Sequence, residues 1–227
     1  MMVAPILEAY EITRVIGGEV PATLVNGISL TIQPGEFVAV TGPSGGGKSS
    51  LLYMLGLLDR PTSGHVVVAG QNTADMDSDA LAALRLSTLG FVFQFHFLLE
   101  EFTALQNVLI PMQRLGRLDA QAQRVRAYHL LGQFGLEGHE HKRPSQMSGG
   151  QRQRVAIARA LANEPRLVLA DEPSGNLDSK NADLVFREFR EIVEKSGASV
   201  LVVTHDLELA SRADRRLHIV DGQIVKI

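Results

Sequence analysis

The sequence of 227 residues predicts an α/β fold, in which helices cover both faces of a mostly parallel β-sheet. Short apolar runs of strand length, such as FVAV, LVLA and SVLVVT, alternate with helical segments along the chain. The segment 24–32 (LVNGISLTI) alternates apolar and polar residues, which is typical of a half-buried antiparallel strand. The stretch 95–145 has no apolar β run and indicates a helical insertion.

Hydrophobic periodicity and turn residues place the individual elements in chain order. The predicted strands are 6–13, 24–32, 37–42, 65–70, 89–94, 166–171, 199–204, 216–220 and 223–227. The predicted helices are 49–58, 77–87, a helical region over 103–134, 149–162 and 180–195. We therefore predict one catalytic core formed by residues 1–94 and 146–227, with residues 95–145 inserted as a helical subdomain.

Composition and charge exclude several classes of protein. Hydrophobic residues make up 45% of the chain, which is enough for a packed core and argues against disorder. The net charge of -3 gives no basic footprint, so we expect no nucleic-acid partner. The chain has no cysteine, which excludes disulfides and thiolate metal sites.

No apolar run approaches the roughly 20 residues that a membrane helix needs. The first residues, MMVAPILEAYEITRV, lack the basic and apolar regions of a secretory signal. We expect a cytoplasmic protein that reaches the inner face of the cell membrane only through a partner.

The segment 42–49 (GPSGGGKS) fits the pattern G-x-x-x-x-G-K-[ST] between a predicted strand and a predicted helix. Glycines allow backbone N–H groups to surround a phosphate, Lys48 can reach the β- and γ-phosphate oxygens, and the Ser49 hydroxyl can bind Mg²⁺. We expect a nucleotide as the ligand of this loop. The residues predicted to bind nucleotide are those of this segment and the serine that follows it: Gly42, Pro43, Ser44, Gly45, Gly46, Gly47, Lys48, Ser49 and Ser50.

Polar side chains follow three other buried strands. Asp171 ends LVLAD at the carboxyl edge of the predicted sheet, where it faces the phosphate loop and can hold Mg²⁺. Glu172 comes next and is the candidate for polarising the attacking water, although it could also be a surface or capping acid. His205 ends VLVVTH and can orient water, although a histidine at a strand end is often structural. Gln94 ends FVFQ and could reach Mg²⁺ or water, on weaker evidence.

A second phosphate-binding pattern lies at 145–154 (SQMSGGQRQR), where Ser148 and two glycines precede a helical run. A hydroxyl, glycine N–H groups and a helix N-terminus together form an anion site. One small chain thus carries two separate candidate sites for phosphate.

Together these motifs resemble the ATP-binding cassette (ABC) family over essentially the whole chain. GPSGGGKS matches its Walker A motif, LVLADE its Walker B, Gln94 its Q-loop, MSGGQ its signature, GNLD its D-loop and His205 its switch histidine. The resemblance implies an ABC-type P-loop nucleotide-binding domain with an antiparallel β subdomain and a helical subdomain. It also implies an ATPase that works as a head-to-tail dimer.

In such a dimer the signature of one copy completes the nucleotide site of the other. Carried over to this chain, the resemblance assigns nucleotide contacts across the dimer to Ser148, Gly149, Gly150, Gln151 and Asp178. It assigns catalysis to Glu172, His205 and Gln94, and Mg²⁺ binding to Ser49, Gln94 and Asp171.

Three segments resemble a narrower group of cassettes: 91–112 (FVFQFHFLLEEFTALQNVLIPM), 143–161 (RPSQMSGGQRQRVAIARAL) and 171–179 (DEPSGNLDS). They are similar to the cassettes of MacB-type exporters and of lipoprotein-releasing LolCDE-type systems. This similarity implies a membrane permease partner that docks near Phe95–Leu98, where apolar residues follow Gln94. An FtsE-like cell-division ATPase, or another non-transport ABC ATPase, remains an alternative.

The chain departs from the family at the residue expected to stack on adenine. The family places an aromatic residue shortly after the first strand, and the corresponding position here is Val15. Val15 can pack against the base but cannot stack on it. Tyr10 is nearby in sequence but belongs to the predicted strand.

Overall fold

The computed structural model describes residues 4–18, 21–175 and 179–225, and their side chains except those of residues 179–182. The strands are β1 Leu7–Ile16, β2 Ala22–Ile32, β3 Phe37–Thr41, β4 Ser63–Val68, β5 Gln71–Asn72, β6 Leu89–Phe93, β7 Leu167–Asp171, β8 Ser199–Val203, β9 Arg215–Val220 and β10 Gln223–Val225. The helices are α1 Lys48–Leu55, α2 Ser78–Thr88, α3 Ala104–Leu115, α4 Ala120–Gln133, α5 Gly149–Ala160, α6 Ser179–Ser196 and α7 Leu207–Ala210, and a short 3₁₀ turn covers Pro144–Gln146.

The strands form two sheets. Six strands lie in the order β10-β9-β3-β8-β7-β6, and all neighbours are parallel except β10 and β9. Four strands form an antiparallel sheet in the order β2-β1-β4-β5. The predicted α/β class with an antiparallel β part is therefore confirmed.

The central strands are apolar at every position because both of their faces are covered. In β3, Val38 and Val40 point towards the cluster that contains α1 and the antiparallel sheet, whereas Phe37 and Ala39 point towards the cluster that contains α6. The same alternation continues in β7 and β8. Because successive side chains in a strand point to opposite faces, two buried faces produce a continuous apolar run.

A third hydrophobic cluster joins α3, α4 and α5. It contains Val108, Met112 and Leu131 from the inserted segment and Val155 from α5. The insertion thus packs against the helix that follows the Ser148 motif. The exact boundary proposed for the helical subdomain, 95–145, stays a prediction.

Several predicted bounds differ from the observed ones. Strand β1 continues to Ile16 instead of ending at residue 13, since its end pairs with β2 and Thr62 bonds its backbone. The segment predicted as a strand over 65–70 is shifted, because β4 ends at Val68 and a turn leads into β5. Helix α7, with four residues, is too short for periodicity to detect.

None of the helices in the described ranges is both long enough and apolar enough to cross a membrane.

Candidate active site

Two glycines of the loop between β3 and α1 allow the backbone to approach neighbouring strands closely. Gly42 and Gly47 adopt φ angles of +146° and +95°. A Cβ at Gly42 would lie 2.0 Å from the carbonyl oxygen of Ile219, and one at Gly47 would lie 2.1 Å from that of Leu24. Any side chain would collide with backbone, so both positions require glycine. The phosphate loop, residues 42–49, is thereby held between β9 and β2.

Lys48 begins α1 and folds back over this loop. Its Nζ donates to the carbonyl oxygens of Gly42 at 3.0 Å and Pro43 at 2.9 Å. The ammonium group thus lies at the helix N-terminus, where the aligned peptide dipoles favour an anion. Ser44 and Gly45 are exposed at the tip of the same loop. The loop therefore brings together the ammonium group of Lys48, an exposed tip and the N–H groups of the first turn of α1.

Ser49 and Asp171 connect the phosphate loop to the end of β7. The Ser49 hydroxyl donates to Asp171 Oδ1 at 3.0 Å. Asp171 is buried, with 8% of its surface exposed, although it carries a carboxylate. Buried carboxylates need a hydrogen-bonding or cationic partner, and Ser49 supplies one contact. The two side chains present adjacent oxygen atoms.

Tyr53 is a neighbour of this pair that sequence reasoning missed. Burial raises the pKa of Tyr53, and the charge of Asp171 and a hydrogen bond with it raise that pKa further. Tyr53 follows Ser49 by four residues in α1, so both lie on one helix face. This spacing of four residues is the only signal in the sequence that Tyr53 lies near Ser49. That Asp171 is the partner of Tyr53 depends on how α1 packs against β7.

Glu172 leaves β7 in a left-handed conformation, with φ of +46°. Its N–H donates to the carbonyl oxygen of Val203 in β8 at 3.0 Å, which fixes the backbone at this point. Its Oε2 lies 2.8 Å from Nδ1 of His205. The Glu172 side chain is 18% exposed and the His205 side chain 72% exposed, so the histidine covers the carboxylate on its solvent side.

Gln94 joins this group from the neighbouring strand. It follows β6, which is paired with β7 so that Phe93 lies beside Asp171. A Cβ on Gly175 would lie 2.7 Å from Gln94 Nε2, so the amide packs directly on that glycine. The N–H of Gly175 in turn donates to the carbonyl oxygen of Glu172 at 3.0 Å.

The predicted catalytic and metal-binding residues therefore share one edge of the sheet. The phosphate loop and His205 follow β3 and β8, Asp171 ends β7 and Gln94 follows β6, and these strands are neighbours in the order β3-β8-β7-β6. The carboxyl edge of parallel strands is where ligands of open α/β sheets bind.

The Ser148 turn, residues 147–151, forms a capping box at the start of α5. Ser148 Oγ accepts from the N–H of Gln151 at 3.2 Å, and Gln151 Oε1 accepts from the N–H of Ser148 at 3.0 Å. Each side chain thus satisfies a backbone donor of the other residue. Across the part of the chain that the structure describes, no hydrogen bond joins this turn to the phosphate loop. The two candidate phosphate sites are separate.

The remaining predicted nucleotide contacts fall in different places. Val15 lies within β1 rather than after it, which corrects the expected placement, and its N–H donates to Thr62 Oγ1 at 3.0 Å. Its strand partner is Thr23, the neighbour of the Leu24 that touches Gly47. Asp178 lies outside the described residues.

Tyr10 is occupied elsewhere in the antiparallel sheet. Its ring stacks on His65 with centroids 4.9 Å apart, and its hydroxyl donates to Glu8. This contact agrees with its assignment to the strand rather than to the base.

Apolar side chains are exposed after Gln94. Phe95 and Phe97 are 70% and 61% exposed. Phe97 borders a groove of about 540 Å³ that also involves Phe93 and reaches Ile110 and Pro111 of α3. A continuous exposed apolar surface of this kind is typical of a protein contact.

Comparison with known proteins identifies the family of this chain. The sequence model of the family described as "ABC transporter" matches residues 25–175. The chain belongs to the ABC transporter family. The matched range contains the phosphate loop, Gln94, the Ser148 turn and the Asp171–Glu172 pair. The chain is thus an ATP-binding cassette and an ATPase, and its nucleotide-binding assignment is confirmed at the level of the family.

Two curated relatives of the cassette carry the same description. The chain is 55% identical over 210 residues to the lipoprotein-releasing system ATP-binding protein LolD of Anaeromyxobacter dehalogenans, covering 92% of this chain and 88% of that protein. It is 52% identical over 219 residues to LolD of Maricaulis maris, covering 96% of this chain and 94% of that protein.

Solved structures of ABC cassettes have the same fold. The cassette superposes with a TM-score of 0.90 on MJ0796, at 39% identity and with 97% of each chain covered, in a dimeric post-hydrolysis state bound to ADP and Pi. A second dimeric structure of MJ0796, described as a bacterial ABC transporter cassette, gives the same TM-score, identity and coverage.

Proposed function

We propose that this chain is the ATP-hydrolysing subunit of a LolCDE-type transporter that powers lipoprotein release through a membrane partner. The observation that carries the chemistry is the pair Glu172–His205, held 2.8 Å apart beside the Ser49–Asp171 contact. Glu172 directly follows the Asp171 that contacts the phosphate loop, and within the described residues no lysine or arginine side chain forms an ion pair with its carboxylate. The relatives named for lipoprotein release support that choice over an FtsE-like regulatory role.

The residues around the phosphate loop fit ATP with Mg²⁺. Ser49, Asp171 and Gln94 offer a hydroxyl, a carboxylate and an amide oxygen, which are the hard oxygen donors that Mg²⁺ prefers. When bound, Mg²⁺ neutralises charge on the β- and γ-phosphate oxygens. Lys48 and the N–H groups of the loop hold the same phosphates in register for reaction.

Glu172 and His205 then act on the attacking water. Glu172 accepts a hydrogen bond from that water and aligns it with the γ-phosphorus, so that its oxygen attacks in line as the bond to the β–γ bridging oxygen breaks. His205 holds the carboxylate through Nδ1, which lies 2.8 Å from Oε2 of Glu172.

The second phosphate site acts on another copy of the chain. The Ser148 turn has an exposed serine and the N–H groups of Gly149 and Gly150 at the start of α5. We propose that these groups, with Gln151 and Asp178, contact the nucleotide held by a partner copy in a head-to-tail dimer. The dimeric MJ0796 structures support this arrangement.

The membrane partner docks on the exposed aromatic surface after Gln94. Phe95 and Phe97 supply the exposed rings, and the adjacent groove accepts an apolar helix. The cassette is then peripheral, on the inner face of the cell membrane.

Val15, at the end of β1 beside the phosphate loop, packs against adenine without aromatic stacking.

Glu172→Gln tests the assignment of the catalytic carboxylate. The variant should bind ATP and form dimers, but its hydrolysis should fall by about 10²–10⁴-fold because the amide cannot polarise water. The matched control is Glu208→Gln, which changes an exposed acid at the start of α7. Turnover at the wild-type rate in the Glu172 variant would remove this residue from the mechanism.

The transporter assignment is tested by the partner. The chain should co-purify with a membrane permease and, in vesicles containing both, release a lipoprotein only when ATP is added. ATP-independent release, or a partner without lipoprotein-releasing activity, would contradict the assignment.

A further inference from the structure

The loop of residues 94–98 holds a buried histidine between two exposed aromatic rings. His96 is only 9% exposed, whereas Phe95 and Phe97 on either side are mostly exposed. His96 and Phe97 also adopt left-handed conformations, with φ of +61° and +46°. Such conformations persist in residues other than glycine when surrounding contacts determine them. Backbone hydrogen bonds within the loop and side-chain bonds from α5 together fix this conformation.

Arg159, near the end of α5, holds the backbone of the loop. Its Nη2 donates to the carbonyl oxygen of His96 at 2.6 Å and its Nη1 donates to that of Phe97 at 2.7 Å. A planar guanidinium that bonds two successive carbonyls fixes both position and orientation. The loop is therefore attached to the C-terminal half of α5.

The imidazole of His96 faces the opposite end of the same helix. It borders a cavity of about 360 Å³ together with Gly149 and Arg152, which lie in the first turns of α5. Burial lowers the pKa of His96, the charge of Arg152 lowers it further, and backbone hydrogen bonds that include one with Gly149 oppose the shift. The ring thus lies against the Ser148 turn.

This burial has no evident benefit for stability. Within the described residues, Nδ1 of His96 is buried and has no hydrogen-bond partner. A buried polar atom without a partner costs stability, as do two left-handed residues in succession. Unfavourable features of this kind concentrate at functional sites. We therefore attribute the position of the His96 ring to its contacts with the start of α5 and not to stability.

We propose that His96 is a positioning residue that couples the Phe95–Phe97 surface to the Ser148 turn. Arg159 and His96 attach the loop to both ends of α5, so the loop and the helix move as one body. Displacement of the two exposed rings by a partner then displaces the Ser148 turn. The inference rests on the proposed role of that turn in binding nucleotide across a dimer.

The test measures dimer formation separately from nucleotide binding. In a Glu172→Gln background, His96→Asn keeps a residue that tolerates the left-handed conformation but removes the ring. The ATP concentration that gives half-maximal dimer, measured by analytical ultracentrifugation, should rise about 3- to 30-fold. Binding of a fluorescent ATP analogue to the phosphate loop should change less than about twofold, as expected for a residue that acts only on the turn.

Two further variants separate a positioning role from a structural one. His129→Asn, an exposed histidine of α4, is the matched control and should leave dimer formation unchanged. His96→Gln, whose side-chain amide can replace Nε2 of the ring, should restore part of the dimer formation that His96→Asn loses. Arg159→Lys, which cannot bridge two carbonyls, should weaken dimer formation as His96→Asn does, and it serves if the histidine variant fails to fold.

The outcomes distinguish this inference from the proposed function. If Ser148→Arg abolishes ATP-dependent dimers while His96→Asn and Arg159→Lys behave as the wild type, the coupling is wrong and the dimer stands. If Ser148→Arg leaves dimers and hydrolysis intact, the proposed role of the Ser148 turn in the dimer is wrong. A lower melting temperature of His96→Asn with unchanged dimer formation would also overturn the proposal.

Discussion

At the scale of single residues, Asp171 and Glu172 are adjacent in the chain but have different surroundings. Asp171 ends a buried strand and accepts from Ser49, whereas Glu172 turns out of the strand with a positive φ and faces His205. Two consecutive residues thus have different roles: the Asp171 carboxylate lies where a cation would bind, and the Glu172 carboxylate lies where it can orient water. Pairs of carboxylates in different environments take different chemical roles.

The chemistry of the site explains which of its residues could be predicted from sequence. The phosphate loop and the Asp171–Glu172 pair have fixed spacing next to strands, so their neighbours are determined locally. Tyr53, His96 and Arg159 were missed because their contacts depend on tertiary packing. No spacing in the sequence relates Arg159 to carbonyl oxygens 62 and 63 residues earlier.

Glu188 gives a prediction for the pH dependence of stability. Burial raises the pKa of Glu188 from 4.5 to about 7, nearby Arg154 lowers it and Glu191 raises it. Between these two pH values the folded chain keeps a proton that the unfolded chain releases, so this group makes stability fall as pH rises from about 4.5 to about 7. Glu188→Gln should therefore stabilise the chain at pH 8, on the order of 1–3 kcal/mol, and have little effect near pH 4.5.

Denaturant unfolding of Glu188→Gln at the two pH values measures this difference. Glu194→Gln, an exposed acid of the same helix, is the control and should show no such pH dependence. Equal effects of Glu188→Gln at both pH values would contradict the raised pKa.

At the scale of elements, the inserted helices are fixed by their ends as well as by their apolar faces. Helix α3 begins with a capping box between Thr103 and Gln106, and α4 begins with the side chain of Asp119 accepting from Ala122. These caps follow from sequence, since Thr and Asp are preferred at such positions. The periodicity of 103–134 therefore predicted a helical region, and the structure divides it between the C-cap Gly116 of α3 and the N-cap Asp119 of α4.

Asn107 ties the irregular segment before α3 to that helix. It is fully buried, its Nδ2 donates to the carbonyl oxygens of Leu99, Phe102 and Thr103, and its Oδ1 accepts from the N–H of Leu99. Asn107→Ala removes the partner of the partly buried N–H of Leu99 and the bond to the carbonyl oxygen of Phe102. It should lower the free energy of unfolding by about 2–4 kcal/mol.

Chemical denaturation of Asn107→Ala measures this loss. Gln113→Ala, which changes an exposed residue of the same helix, should alter stability by less than about 0.5 kcal/mol. A loss as small as that of the control would mean that solvent or a rearranged loop replaces the bonds of Asn107.

At the scale of the whole molecule, the fold separates the two phosphate sites that the sequence contains. The phosphate loop begins α1 at the carboxyl edge of the parallel sheet, whereas the Ser148 turn begins α5, which packs on the inserted helices. A symmetric dimer of a chain with two distinct half-sites contains two composite sites. The sequence predicted both half-sites, but it could not reveal how α5 is tied to the loop after Gln94.

Complementation between two inactive variants tests this geometry. Lys48→Ala damages the phosphate loop and Ser148→Arg damages the turn, so each variant alone should be inactive. In a mixed head-to-tail dimer both lesions fall in one composite site and the other site is intact. Hydrolysis should reappear on mixing, to at most about a quarter of the wild-type rate, because half of randomly formed dimers are mixed and each has one intact site of two.

The measurement combines phosphate release with ultracentrifugation in ATP, and each variant alone at the total concentration of the mixture is the control. Recovered hydrolysis with ATP-dependent dimers requires that the Ser148 turn of one chain serve the phosphate loop of another. If both half-sites served the same chain, the damaged chains could not help each other, and the mixture would stay as inactive as its parts. A mixture that remains monomeric in ATP would also contradict the composite site. An intact Lys48 and an intact Ser148 from two different variants can meet only across an interface between copies.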